Sequence, residues 1–87
     1  MRSHDVKVGA RLMLKLKGPD WEPIRIIAKC HKGFVGRVSA PVAKQFKGSG
    51  CEVAMYDVLV GAASLRKPNL REFRSLQWPY VDSKEIQ

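Results

Sequence analysis

The sequence predicts a small, mainly β domain of the α+β class with one or two short helices. Its 87 residues suffice for one compact domain and are too few for two. Several short segments alternate apolar and polar residues with period two, and Gly- or Pro-containing turns separate them. A partly open antiparallel barrel of SH3 or OB size fits this pattern, as does a curled sheet with a helix across one end. We expect residues 1–80 to form the domain and residues 81–87 a loose tail.

Two strands are predicted in the first third of the chain. The first covers residues 6–17, as one strand or as two segments interrupted at Gly9, and its alternating leucines share one face. Gly18-Pro19-Asp20 is typical of a turn, and Trp21 follows in a Pro-bounded loop. The second strand covers residues 24–31, with Ile24 and Ile26 pointing inward and Ile27 outward.

A hairpin, a helix and a fourth, apolar strand are predicted next. Lys32-Gly33 favours a tight turn into a strand over residues 34–38, where Gly36 indicates a bulge or a close backbone approach. Residues 39–48 have the start and stop signals of a short helix. Residues 51–60 are apolar on both faces, which is typical of a central, covered strand.

The C-terminal third is ambiguous. Asn69 and Glu72 have the spacing of a helix start, which favours a short helix here, although an irregular strand also fits. Residues 61–80 could pack on the domain or form an interaction arm.

The basic residues are unevenly distributed. Residues 1–51 contain eleven Lys and Arg against three acidic residues, which accounts for the whole formal net charge of +8. Residues 52–87 contain five basic and five acidic residues. This asymmetry favours a polyanionic partner.

The strand pattern predicts where those cations meet. Alternation that buries the leucines and isoleucines places the charged residues of neighbouring strands on the opposite face. Phosphates would relieve the repulsion within such a cluster, whereas the alternative is a solvated face that only protects a sheet edge. The expected basic surface consists of Lys15, Lys17, Arg25, Lys29, Lys32 and Arg37. Trp21 and Phe34 are candidates for stacking on bases, although a core or end-covering role also fits Trp21.

The segment KGFVGRV at residues 32–38 resembles the Lys-Gly-x-x-Gly-x-Val part of the KOW motif. That motif occurs in ribosomal and transcription-factor SH3-like barrels that contact RNA, so the resemblance implies a barrel and an RNA-binding role. It covers about seven of the 87 residues. The motif also has a preceding strand with an acidic residue after its Gly, whereas Val8-Gly9-Ala10 lacks the acid and lies further upstream.

Catalytic and metal-binding patterns are weak. The eight acidic residues form no evident pair, and no Gly-rich stretch matches a phosphate-binding loop, so we expect a protein that is not an enzyme and has no cofactor. His4, Cys30, His31 and Cys51 are ligand types that zinc accepts, but their spacing is wrong, and we expect no metal. Cys30 and Cys51 are expected to be buried free thiols, and a disulfide between them is the alternative.

These observations favour a small cytoplasmic protein that binds RNA or DNA mainly through phosphates. The N-terminus lacks the apolar stretch of a secretory signal, and no run is long enough for a membrane helix, so we expect no membrane association. The alternative is a protein–protein module, such as a small phage or mobile-element inhibitor or adaptor, that binds an acidic partner surface. Self-association through residues 53–60 is a third possibility.

Overall fold

The computed structural model describes residues 1–45 and 56–86. Within these ranges, the chain is mainly β, as the sequence predicts. The strands are β1 (Arg11–Lys15), β2 (Trp21–Cys30), β3 (Gly33–Arg37), β4 (Asp57–Val60) and β5 (Leu65–Arg66). The helices are α1 (Ala40–Gln45) and α2 (Leu70–Ser75), and single turns of 3-10 helix lie at Ser3–Asp5, Ala62–Ser64 and Ser83–Glu85.

All strand pairs are antiparallel, and the sheet order is β4-β3-β2-β1-β5. Strands β1 to β4 follow one another as a meander, and β5 returns to pair with β1. Among the described residues the sheet does not close, because β4 and β5 form its two ends. The expected small α+β domain with an open antiparallel sheet is confirmed.

Strand β2 differs in two ways from its predicted form. It begins at Trp21, which pairs with Lys15, so Trp21 lies on the sheet and not in a loop. A bulge shifts the register between Ile26 and Ala28, and Ile27, expected to point outward, is buried. The extra residue of a bulge reverses the alternation that follows it, which a simple period-two pattern does not include.

One face of the sheet, the inner face, carries the main hydrophobic core. It combines apolar residues of all five strands with Val42 of α1, and Ile24, Ile26 and Leu14 are completely buried. Gly36 permits this packing, because a Cβ atom at its position would overlap the Ile24 side chain. The close approach that the sequence indicates at Gly36 is therefore present.

The opposite face, the outer face, is also partly covered. Met13 lies on it and is only 1% exposed. The C-terminal segment, residues 67–86, contacts this face through the Phe73 ring at Arg11 and through the Tyr80 carbonyl and the Glu85 carboxylate at Arg37. Residues 61–80 therefore lie on the domain. Val81 is buried, and Glu85 bonds to Arg37; these contacts differ from the loose tail that the sequence leads us to expect.

Two predicted elements are described only in part. Helix α1 ends at Gln45, and the remainder of the predicted helix lies outside the described residues, as does the predicted strand before β4, including Cys51. Among the described residues, strand β4 lies at one end of the sheet order, whereas the sequence predicts a central strand. Its residues Val58 and Val60 are nevertheless buried against the core, which explains their apolar pattern.

Candidate functional site

The strand register divides the predicted basic surface. Arg11, Arg25 and Arg37 lie directly opposite one another on β1, β2 and β3, so their side chains share the outer face. Lys15 pairs with Trp21 at one end of β2, whereas Lys29 lies eight positions further along that strand, or about 25 Å. The six cations therefore do not form one cluster.

Arg37 is neutralised within the fold. Its Nε donates to Asp57 Oδ1 at 2.8 Å, and its Nη1 and Nη2 donate to the two Glu85 carboxylate oxygens at 2.7 and 2.9 Å. These hydrogen bonds, above all that to Glu85, raise the pKa of Arg37, and the bond from Arg37 lowers the pKa of Glu85. Arg37 therefore ties the C-terminal segment to the sheet, which is a correction to its predicted role as a free phosphate contact.

Two further predicted residues are unsuited to direct contact. Phe34 is only 2% exposed and belongs to the core, so the prediction that it stacks on bases is wrong. Its apolar neighbours on the inner face explain why a residue beside a tight turn is buried. Arg25 is half-buried, and its Nε is buried without a hydrogen-bond partner among the described residues.

Trp21 lies beneath an arginine that connects the sheet to α2. The Arg66 guanidinium carbon is 4.6 Å from the centroid of the Trp21 ring, within the range of a cation–π contact. Arg66 also donates from Nη1 and Nη2 to the two Glu72 carboxylate oxygens, both at 2.8 Å. The Arg66 hydrogen bonds lower the pKa of Glu72 to about 2. Glu72 in addition accepts from the Asn69 backbone N–H in the capping box that begins α2.

A second arginine–aromatic contact lies further along β1. The Arg11 guanidinium carbon is 5.2 Å from the centroid of the Phe73 ring on α2. The Phe73 and Trp78 rings are 6.2 Å apart, and Trp78 Nε1 donates to the Phe73 carbonyl at 3.1 Å. Phe73 is nevertheless 46% exposed. Its position is fixed while much of its ring remains in solvent.

These contacts define a continuous surface, which we call the β1–α2 surface. Lys15 pairs with Trp21, Trp21 lies under Arg66, and Arg66 bonds to α2, whose Phe73 contacts Arg11. Arg11, Lys15 and Arg66 lie on this surface, and the elements that form it or flank it also carry Lys17, Lys67, Arg71 and Arg74. All except the half-buried Arg66 are exposed, and Arg66 holds the one acidic residue between positions 66 and 74.

A shallow, open depression lies at the Lys15 end of this surface. It has a volume of about 570 Å3 and is lined by Lys15, Leu16, Lys17, Gln45 and Ser64. Two lysines, with no acidic residue among the described lining residues, suit an anionic group more than an apolar one.

Sequence reasoning found one half of this surface and missed the other. Lys15, Lys17 and Trp21 were expected, whereas Lys29 and Lys32 lie at the far end of β2. The basic charge around α2 is not evident from the C-terminal part as a whole, because residues 52–87 have no net charge. A narrower window contains the signal, since residues 66–74 include four basic residues and one acidic residue.

Comparisons with known proteins give no relative. The chain matches no family model, no curated protein and no solved structure. Within residues 1–45 and 56–86, no helix is long and apolar enough to cross a membrane. The same part of the chain contains no group of three or more His, Cys, Asp or Glu side chains placed to hold a metal ion.

Proposed function

We propose that this protein is a non-enzymatic nucleic-acid-binding protein whose β1–α2 surface contacts phosphates. The observation that carries the proposal is the pair of arginine–aromatic contacts, Arg66 on Trp21 and Arg11 on Phe73, on one face beside exposed lysines. Cations grouped on one surface attract the phosphates of a nucleic acid, and binding of those phosphates releases counterions.

The charge balance of the surface supports this proposal. Glu72 is engaged by Arg66, and Asp57 and Glu85 are engaged by Arg37. Three of the five acidic residues in residues 52–87 are therefore bonded to arginines. The exposed cations Lys15, Lys17, Arg71 and Arg74 remain available to an anionic ligand.

The test compares charge-matched double variants. Lys15→Ala/Lys17→Ala and Arg71→Ala/Arg74→Ala each remove two exposed cations from the β1–α2 surface, and Lys29→Ala/Lys32→Ala removes two from the far end of β2. Binding of a labelled oligonucleotide is measured by fluorescence anisotropy across a salt series. We expect each surface variant to weaken binding and to lower the salt slope by up to about 1.8 for a duplex or about 1.4 for a single strand, the values for two lost phosphate contacts. The Lys29/Lys32 variant should bind within about twofold of the unchanged protein, since it removes equal charge elsewhere.

Equal losses in all three variants would show that total charge alone drives binding, and the assignment of the surface would be wrong. No binding by the unchanged protein at low salt would refute the function itself.

Binding to an acidic protein partner is the second candidate function. The observation that favours it is a pair of exposed leucines at the two ends of α2, Leu70 at its start and Leu76 directly after it, which are 63% and 36% exposed. Leu70→Ala/Leu76→Ala should then abolish binding to such a partner and leave oligonucleotide binding unchanged.

A further inference from the structure

Two exposed aromatic side chains lie on the C-terminal segment that crosses the outer face. Phe73 is 46% exposed and Tyr80 is 79% exposed. Both belong to a segment fixed by specific contacts, since Arg11 and Trp78 contact Phe73, and Arg37 Nη1 donates to the Tyr80 carbonyl at 3.4 Å. Their exposure is therefore not the result of an unattached chain end.

Both aromatic residues are next to the arginine row of the outer face. Arg11 contacts Phe73 and Arg37 contacts Tyr80, and these arginines lie on strands two apart in the sheet. Two strand spacings correspond to about 10 Å. The Phe73 ring and the backbone of the exposed Tyr80 therefore lie at the two ends of a short row of arginines, with Arg25 between Arg11 and Arg37.

Exposed rings beside cations distinguish between forms of nucleic acid. A single strand can turn its bases out to stack on aromatic side chains, whereas the bases of a duplex are stacked on one another. Phosphate contacts alone favour the duplex, because its two strands carry about one charge per 1.7 Å of helix axis.

We propose that the ligand of this surface is single-stranded nucleic acid, with Phe73 and Tyr80 stacking on bases while the cations of the β1–α2 surface contact the phosphates. This inference rests on the proposed function and adds the form of the nucleic acid. Phe73 and Tyr80 thereby take the stacking role that the sequence predicts for Phe34, which is buried.

The experiment measures the binding of three ligands at the same salt concentration. A 20-nucleotide single strand and the duplex of the same sequence are labelled, and heparin is added as a competitor. The variants are Phe73→Leu and Tyr80→Leu, which keep an apolar side chain but remove the ring. Tyr56→Leu is the matched control, because Tyr56 is an exposed tyrosine, at 44%, outside the C-terminal segment. Unfolding temperatures establish that each variant is folded.

We expect the unchanged protein to bind the single strand at least tenfold more tightly than the duplex. Phe73→Leu and Tyr80→Leu should each weaken single-strand binding by about fivefold or more, the lower end of the effect of one lost stacking contact. Neither should change heparin binding, and Tyr56→Leu should change nothing.

Equal or tighter duplex binding, or unchanged single-strand binding in both leucine variants, would overturn the inference and leave the proposed function intact. Failure to bind any of the three ligands would refute both this inference and the proposed function.

Discussion

At the scale of single residues, Gly36 shows how the core depends on a missing side chain. A Cβ atom at Gly36 would overlap the Ile24 side chain, and Ile24 is completely buried. We expect Gly36→Ala to lower the free energy of unfolding by about 1–3 kcal/mol, the range for an overpacked core. Urea denaturation of the variant and the unchanged protein measures this difference.

Gly61 provides the matched control. Its backbone is extended, with φ −92° and ψ 156°, and a Cβ atom there would have no neighbour within 4 Å. Gly61→Ala should be neutral or stabilising by up to about 1 kcal/mol, because alanine restricts the unfolded chain. Equal losses at Gly36 and Gly61 would contradict the packing argument. Ile24→Val in the Gly36→Ala background should recover part of the loss, since it removes Cδ1, one of the two overlapping Ile24 atoms, while Cγ1 remains.

Residue types predict that Arg25 and Arg37 lie near one another, but not that Arg37 is bonded to acidic residues of the fold. The register places Arg25 beside Arg37, as alternation requires. The partners of Arg37 are Asp57 and Glu85, which are 20 and 48 positions away in sequence. Period-two patterns carry no information on such distant ion pairs, so Arg37 was assigned to a ligand instead of to the fold.

At the scale of elements, α2 depends on one carboxylate with two functions. Glu72 completes the capping box with Asn69 and holds Arg66. Its pKa is lowered to about 2 in the folded chain, against about 4.3 in an unfolded one. The folded state therefore binds fewer protons, and this contribution to stability is present above pH ~4.3 and is lost as the pH falls towards 2. Glu85, whose pKa is also lowered, acts in the same direction.

Glu72→Gln tests this linkage, because glutamine keeps the capping hydrogen bonds and loses the charge. We expect the variant to be less stable than the unchanged protein at pH 7 and the difference to shrink by pH 3. Thermal unfolding at pH 7, 5 and 3 measures both. A difference that is constant across this range would mean that the Arg66–Glu72 pair contributes no pH-dependent stability.

The elements themselves could be predicted better than their arrangement. Strands β1, β2 and β3, the hairpin and the capped helix α2 follow from local alternation, turn residues and the Asn69–Glu72 spacing. The bulge at Ile27 and the edge position of β4 could not be predicted, because both depend on pairing between strands. The aromatic half of the β1–α2 surface was missed for the same reason, since Phe73 meets Arg11 only in the fold.

At the scale of the whole molecule, the C-terminal segment joins the stability of the domain to its candidate surface. It binds Arg37 through Glu85 and buries Val81, and Ile86 lies close to Gly9, where an added Cβ atom would be 3.6 Å from Ile86 Cδ1. The arginine row and the exposed aromatic residues are therefore held in place from both the sheet and the segment.

Ending the chain at Val81 tests this connection. The shortened protein loses the Arg37–Glu85 hydrogen bonds and the contact near Gly9, so we expect its Tm to fall by about 4 °C or more, since a domain of this size is sensitive to small losses. Lys84→Ala in the full chain is the control, because Lys84 is exposed and its side chain makes no hydrogen bond in the described part. It should leave Tm unchanged. If the shortened protein melts at the same temperature as the full chain, residues 82–87 do not stabilise the domain, and the contacts of Arg37 with Asp57 and the Tyr80 carbonyl suffice.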